Sequence, residues 1–179
     1  MTLYDETRQQ YKPNHIKVLF IAESPPPAAD IASSRQFYRA DRIRKDDRLF
    51  TNTIKALYPE TVDTPEVELQ KEKQTWLRRL QSDGYYMIEA LKDSQPHEAT
   101  KEERQLRIQK RLPDLIKEVR ELASSDTKII LIKSNVFIVA AEPLRNAGFA
   151  VLNTALVDYP GRFNQRHYRE KIMSLIKTR

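Results

Sequence analysis

Four short apolar runs stand out along an otherwise charged chain, at residues 16–22, 85–91, 128–133 and 149–153. Each is shorter than a helix needs to bury a face, and three are bounded by breakers: three prolines after the first, Asp83-Gly84 before the second, Gly148 before the fourth. Such runs read as strands. They are continuous rather than alternating, the pattern of strands covered on both faces, as in a parallel sheet. Between them the apolar positions recur at helical spacing. Residues 49–57 and 65–80 read as helices, the second with Thr64 as cap and Pro65 at the first position. A charged stretch, 101–123, carries Leu106, Leu112, Leu115, Ile116, Val119 and Leu122 on a helical stripe, with Pro113 expected to divide it. Helices over 136–146, closed by Gly148, and over 165–177, capped by Asn164, complete the set. The expectation is one α/β domain over residues 1–179, three layers α/β/α around a four-stranded parallel sheet with helical crossovers.

Composition narrows the chemistry. The 179 residues include no cysteine, which removes disulfides, thiolate metal sites and a cysteine nucleophile. His15, His97 and His167 are scattered, so no metal is assigned, and without a Gly-rich phosphate loop or a nucleophile elbow no cofactor is expected. No apolar stretch reaches the roughly 18–20 residues that span a bilayer, and the first residues lack the basic and apolar segments of a signal peptide. A cytoplasmic monomer with no membrane partner is therefore the expectation. Lysine and arginine number 31 against 25 acidic residues. The excess is concentrated: Arg35, Arg39, Arg42, Arg44, Lys45 and Arg48 fall in one segment, and Arg162, Arg166, Arg169, Lys171, Lys177 and Arg179 in the tail. Two basic stretches of this kind suit a polyanion if they lie on one face.

In an open parallel sheet, ligands bind beyond the carboxyl ends of the strands. The first strand delivers Glu23-Ser24-Pro25-Pro26-Pro27, a carboxylate carried straight out of the core into a loop stiffened by fixed φ angles. Glu23 is placed to orient a water or accept a proton, or else is a solvated or capping carboxylate. The second strand delivers Glu89, either a binding carboxylate that accepts a ligand's N–H groups or a structural ion-pair partner for an arginine. The third ends at Ser134-Asn135. The fourth leads to Asp158-Tyr159-Pro160-Gly161-Arg162, a turn that opens the last helix. With Gly161, Arg162, Asn164 and Arg166, that turn suits a phosphate at a helix N-terminus. Phe37, flanked by Arg35 and Arg39, offers a stacking face beside phosphate contacts, or else packs into the core.

The order of these pieces resembles the uracil-DNA glycosylase superfamily. The resemblance is carried by Leu19-Phe20-Ile21-Ala22-Glu23-Ser24-Pro25-Pro26, by Phe37, by the strand ending near Glu89, and by Tyr159-Pro160-Gly161-Arg162-Phe163-Asn164. It implies a catalytic Glu23 that positions the attacking water. It also implies a base pocket built from Ser24, Pro25, Phe37, Glu89 and Tyr159, and DNA phosphate contacts from Arg35, Arg39, Gly161, Arg162, Asn164 and Arg166. Glu89 stands where that superfamily has a base-reading asparagine, and Tyr159 where it has a histidine. The implied activity is hydrolysis of the N-glycosidic bond of an altered base. The alternative is a DNA- or nucleotide-binding protein of the same fold without catalysis.

Overall fold

The structure, a computed structural model, describes residues 3–26, 36–41, 47–96 and 98–177. Four parallel strands form one sheet in the order β2-β1-β3-β4: β1 at Val18–Ala22, β2 at Tyr85–Glu89, β3 at Lys128–Leu131 and β4 at Ala150–Val151. Strand β1 lies between β2 and β3, and all five of its residues are buried, as its unbroken run of apolar side chains requires. In register, Ala22 pairs with Glu89. Pairing runs on past the strands, with the Ala90 N–H donating to the Ala22 carbonyl and the Leu91 N–H to the Glu23 carbonyl. Strand β4 is shorter than its sequence suggests because a side chain replaces its backbone: Asn153 accepts from the Leu131 N–H and donates to the Leu131 carbonyl, both at 3.1 Å. At the other side, the Tyr38 phenol accepts from the Met87 N–H at 2.6 Å. It covers part of an edge strand that would otherwise present an open donor.

The helices are α1 (Leu3–Gln9), α2 (Arg48–Leu57), α3 (Glu66–Lys71), α4 (Lys73–Asp83), α5 (Lys101–Leu122), α6 (Ser134–Asn146) and α7 (Gln165–Lys177). α5 packs against α6, and α2 against α7. The expected single helix over 65–80 is two. Pro65 has φ −55° and ψ 139°, so it precedes the helix rather than entering it, and Thr64 makes no cap. The chain breaks again at Glu72. Restarting there buries the Lys73 ammonium against the Asp47 carboxylate at 2.5 Å and the Gln36 carbonyl at 2.9 Å.

Helix α5, conversely, is not divided by Pro113; it runs unbroken for 22 residues. A capping box between Thr100 and Glu103 starts it, and burial of Ile108, Leu115 and Val119 on both sides of the proline holds it together. That core contact outweighs one missing hydrogen bond. Leu106, expected on the buried stripe, is half exposed. Helix α1 was not expected, since its few apolar residues carry no periodic signal; Tyr11 just beyond it stacks on Tyr38.

Two glycines are required by shape. Gly84 closes α4 at φ +85°, and a Cβ there would meet the Lys17 side chain at 2.9 Å and the His15 carbonyl at 3.0 Å. Gly148, at φ +92°, closes α6 as expected: its N–H reaches the Arg145 carbonyl, and the Phe149 N–H reaches Leu144. That is the paired bonding of a Schellman end. No helix among the described residues is long and apolar enough to cross a membrane.

Candidate functional site

The carboxyl ends of β1, β2 and β3 open into a cavity of about 270 Å³ lined by Glu23, Ser24, Pro25, Phe37, Glu89 and Tyr159, with Gln95, Arg104 and Lys133. The first six come from segments far apart in sequence. Glu23 and Glu89 converge because parallel strands in register deliver their ends to one side of the sheet, where Phe37 and Tyr159 join them from the segments before α2 and α7.

Glu23 is 4% exposed, and an ionised carboxylate so buried must be paired and hydrogen-bonded. Its Oε1 accepts from Asn135 Nδ2 at 2.7 Å. Its Oε2 accepts from the Lys133 ammonium, with the Arg104 guanidinium 3.6 Å from the same oxygen. Asn135 is itself oriented by Gln105 of α5, whose amide donates to Asn135 Oδ1 at 3.2 Å. Donors from α5 and α6 thus fix the carboxylate from two sides. Neither Lys133 nor Arg104 was singled out in the sequence. Lys133 reads there as the polar end of a strand, and Arg104 as one charge among many on a solvated helix.

Lys133 carries a second distinction. Its φ is +83°, the one positive value at a non-glycine among the described residues. A side chain in this region costs of order 1–3 kcal/mol and persists where the surroundings over-determine it. Here the Lys133 N–H donates to the Val157 carbonyl at 2.7 Å, and its own carbonyl accepts the first helical bond of α6 from Phe137. The strand therefore turns sharply into the helix at this residue, and the amine is brought to Glu23.

Glu89 lines the cavity and is also an ion-pair partner. Its Oε2 lies 3.4 Å from the guanidinium of Arg8, which projects from α1. Arg8 also reaches Asp5 at 3.1 Å and Glu118 at 3.6 Å. Glu118 accepts from Lys92 at 2.6 Å and Arg111 at 2.5 Å. Burial would lower the Arg8 pKa, but the charges of Glu89, Tyr86, Glu118 and Asp5 raise it above its ordinary value. Burial would raise that of Glu118, but hydrogen bonds from Lys92 and Arg111 hold its carboxyl below the usual range. The Tyr86 phenol beside them is pushed up to about 12, mainly by burial. The ion-pair alternative for Glu89 is thus observed, with Arg8 as the partner, and the residue also forms part of the cavity wall.

Phe37 packs into the core. It is 5% exposed, sits edge-on to Phe50 and Tyr38, and lines the cavity. Tyr159 is 44% exposed and stands at the rim. Of the expected phosphate ligands, the described ones, Arg39, Gly161, Arg162, Asn164 and Arg166, are not among the cavity's lining residues. Arg39 is paired with Asp41 at 2.8 Å and Arg166 with Glu170 at 2.7 Å, while Arg162 lies over the ring of Phe163 at 5.5 Å. The Asn164 side chain does not cap α7. It turns back to donate to the Tyr159 carbonyl at 2.9 Å, over Gly161, and leaves its Oδ1 buried without a partner. Arg35, Pro27 and the basic positions 42–45 lie outside the described residues. Phe163, four residues beyond Tyr159, is 93% exposed.

Comparison with known families, curated proteins and solved structures returns no match to this chain.

Proposed function

We propose that this chain binds a base extruded from DNA and hydrolyses its N-glycosidic bond, as a divergent member of the uracil-DNA glycosylase superfamily. What supports the reading is the convergence of Glu23, Phe37, Glu89 and Tyr159 on one cavity. At about 270 Å³ it lies near the lower end of small-molecule sites, which suits a single base better than a dinucleotide. On this reading the domain is a three-layer α/β/α fold, with the α2–α7 and α5–α6 pairs on opposite faces of the sheet.

The chemistry follows from the charges. As the C1′–N bond lengthens, the sugar gains positive charge, and a carboxylate fixed in a low-dielectric wall stabilises it and orients the attacking water. Glu23 is that carboxylate. The flipped base stacks on Phe37, and Glu89 accepts from N–H groups on its edge. An acceptor-only group in that place favours a base presenting an amino or ring N–H edge over one presenting carbonyls alone. Flipping costs a few kcal/mol. The exposed Phe163, with Arg162 stacked on it, supplies an apolar wedge to hold open the gap left in the duplex, and the basic segments supply phosphate contacts.

The test is incubation with single- and double-stranded DNA carrying a panel of deaminated, oxidised and alkylated bases, read by alkaline cleavage at abasic product. Glu23→Gln should slow excision by roughly 10²–10⁴-fold. Absence of product from every substrate, or excision indifferent to Glu23→Gln, overturns the proposal.

One observation favours a second reading, a binding protein without turnover: both oxygens of Glu23 are already engaged, by Asn135 and Lys133. That reading predicts salt-dependent DNA binding with no abasic product.

A further inference from the structure

Lys133 does more than neutralise Glu23, and we propose that it is an amine nucleophile giving the site a second activity, cleavage of DNA at abasic positions through a Schiff base. The inference rests on the reading that a deoxyribose enters this cavity; the activity itself is separate from base excision.

Three observations carry it. The Lys133 side chain is a third exposed and lines the cavity beside Glu23. Its backbone is held at φ +83° by bonds at both its N–H and its carbonyl, a conformation no counter-ion requires, since a flexible lysine reaches a carboxylate from ordinary backbone. The outlier fixes where the amine sits. Finally, Glu23 has a second cation within reach, Arg104, at 3.6 Å from the oxygen that Lys133 contacts, and a further donor in Asn135. When Lys133 gives up its charge, the buried carboxylate is still compensated. A lysine placed beside another cationic group is one of the recognised arrangements for an amine nucleophile.

The reaction balances with water alone. The Lys133 ammonium releases a proton to solvent, and its lone pair adds to C1′ of the ring-opened abasic aldehyde. The carbinolamine oxygen takes up a proton and leaves as water, forming the protonated imine. Glu23 accepts a proton from C2′, that electron pair forms the C2′–C3′ double bond, and the C3′–O bond breaks with the phosphate leaving as an anion. Water then hydrolyses the imine, releasing an unsaturated aldehyde and regenerating the amine.

The experiment uses oligonucleotides that already contain an abasic site, so it does not depend on any base being excised. The full chain is incubated with this DNA in the presence of sodium borohydride, and the reduced covalent adduct is resolved by denaturing electrophoresis and mapped by peptide mass. The expected result is an adduct on Lys133, together with strand scission in the absence of borohydride. Both should be lost in Lys133→Arg, which keeps the cation beside Glu23, and thermal unfolding of that variant checks that it folds. No adduct, or an adduct that persists in Lys133→Arg, overturns the inference. An adduct on Lys133 without excision from any base-carrying substrate leaves the inference standing and removes the glycosylase reading. Excision without an adduct does the reverse.

Discussion

Replacing Arg8 with methionine isolates the tie between the first helix and the site. Arg8 is 8% exposed and, besides Asp5 of its own helix at 3.1 Å, faces two carboxylates of other elements, 3.4 Å away at Glu89 and 3.6 Å at Glu118. Breaking a buried pair by removing one partner costs about 3–5 kcal/mol, because a charge is left uncompensated. Two features reduce that figure. Both contacts are longer than an ideal charged hydrogen bond, and Glu118 keeps Lys92 at 2.6 Å and Arg111 at 2.5 Å. The loss then falls mainly on Glu89, and about 2–3 kcal/mol is expected. For a chain of this size that lowers Tm by roughly 4–12 °C. A double-mutant cycle by urea unfolding separates the pair from the packing of the arginine stem. Glu89→Gln, added to Arg8→Met, should recover more than about 1 kcal/mol relative to additivity. A cost below about 0.5 kcal/mol for Arg8→Met, or strict additivity with Glu89→Gln, would refute the claim that α1 holds the cavity wall through this pair.

Lys73→Met should cost about 3–5 kcal/mol in urea unfolding, because Asp47 is left buried without the ammonium that now contacts it at 2.5 Å. Glu118→Gln should destabilise by about 2 kcal/mol at neutral pH. Its carboxyl is depressed in the folded state, so the contribution is present above the unfolded carboxylate value near 4.3 and is lost as pH falls through the lower folded value. Tm measured against pH should therefore show wild type and variant converging in acid. Phe163→Ala, at a side chain in water, should leave stability within about 0.5 kcal/mol yet weaken binding to duplex DNA in a fluorescence titration; an unchanged Kd removes its role as a wedge.

Much of the fold was legible because unbroken apolar runs point to a buried parallel sheet, and such a sheet dictates which strand ends meet. Glu23 was visible as a carboxylate at the limit of an apolar run, Glu89 as a carboxylate within one, and Tyr159 in the turn that follows the last. The misses have physical causes. Pro113 was read as a helix breaker, but Ile108 and Leu115 on either side of it are both buried against the core. Helix α1 has no amphipathic stripe and is held instead by Arg8 and Tyr11, contacts that lie far along the chain and leave no local pattern. Lys133 and Arg104 were hidden for a related reason: a lysine after a strand and an arginine on a charged helix look ordinary until the register carries both to Glu23. The Asn164 cap failed because its amide finds the Tyr159 carbonyl first.

Glu23 and the cavity around it are best put to the test by single-turnover kinetics on DNA bearing one altered base with an exposed amino or ring N–H edge, comparing wild type with Glu23→Gln. The account predicts abasic product from wild type and a rate lower by roughly 10²–10⁴-fold in the variant, with DNA affinity little changed and a lower Tm from the lost buried pair with Lys133. Equal rates in the two proteins, or no product from wild type on any base while DNA is bound, would contradict it.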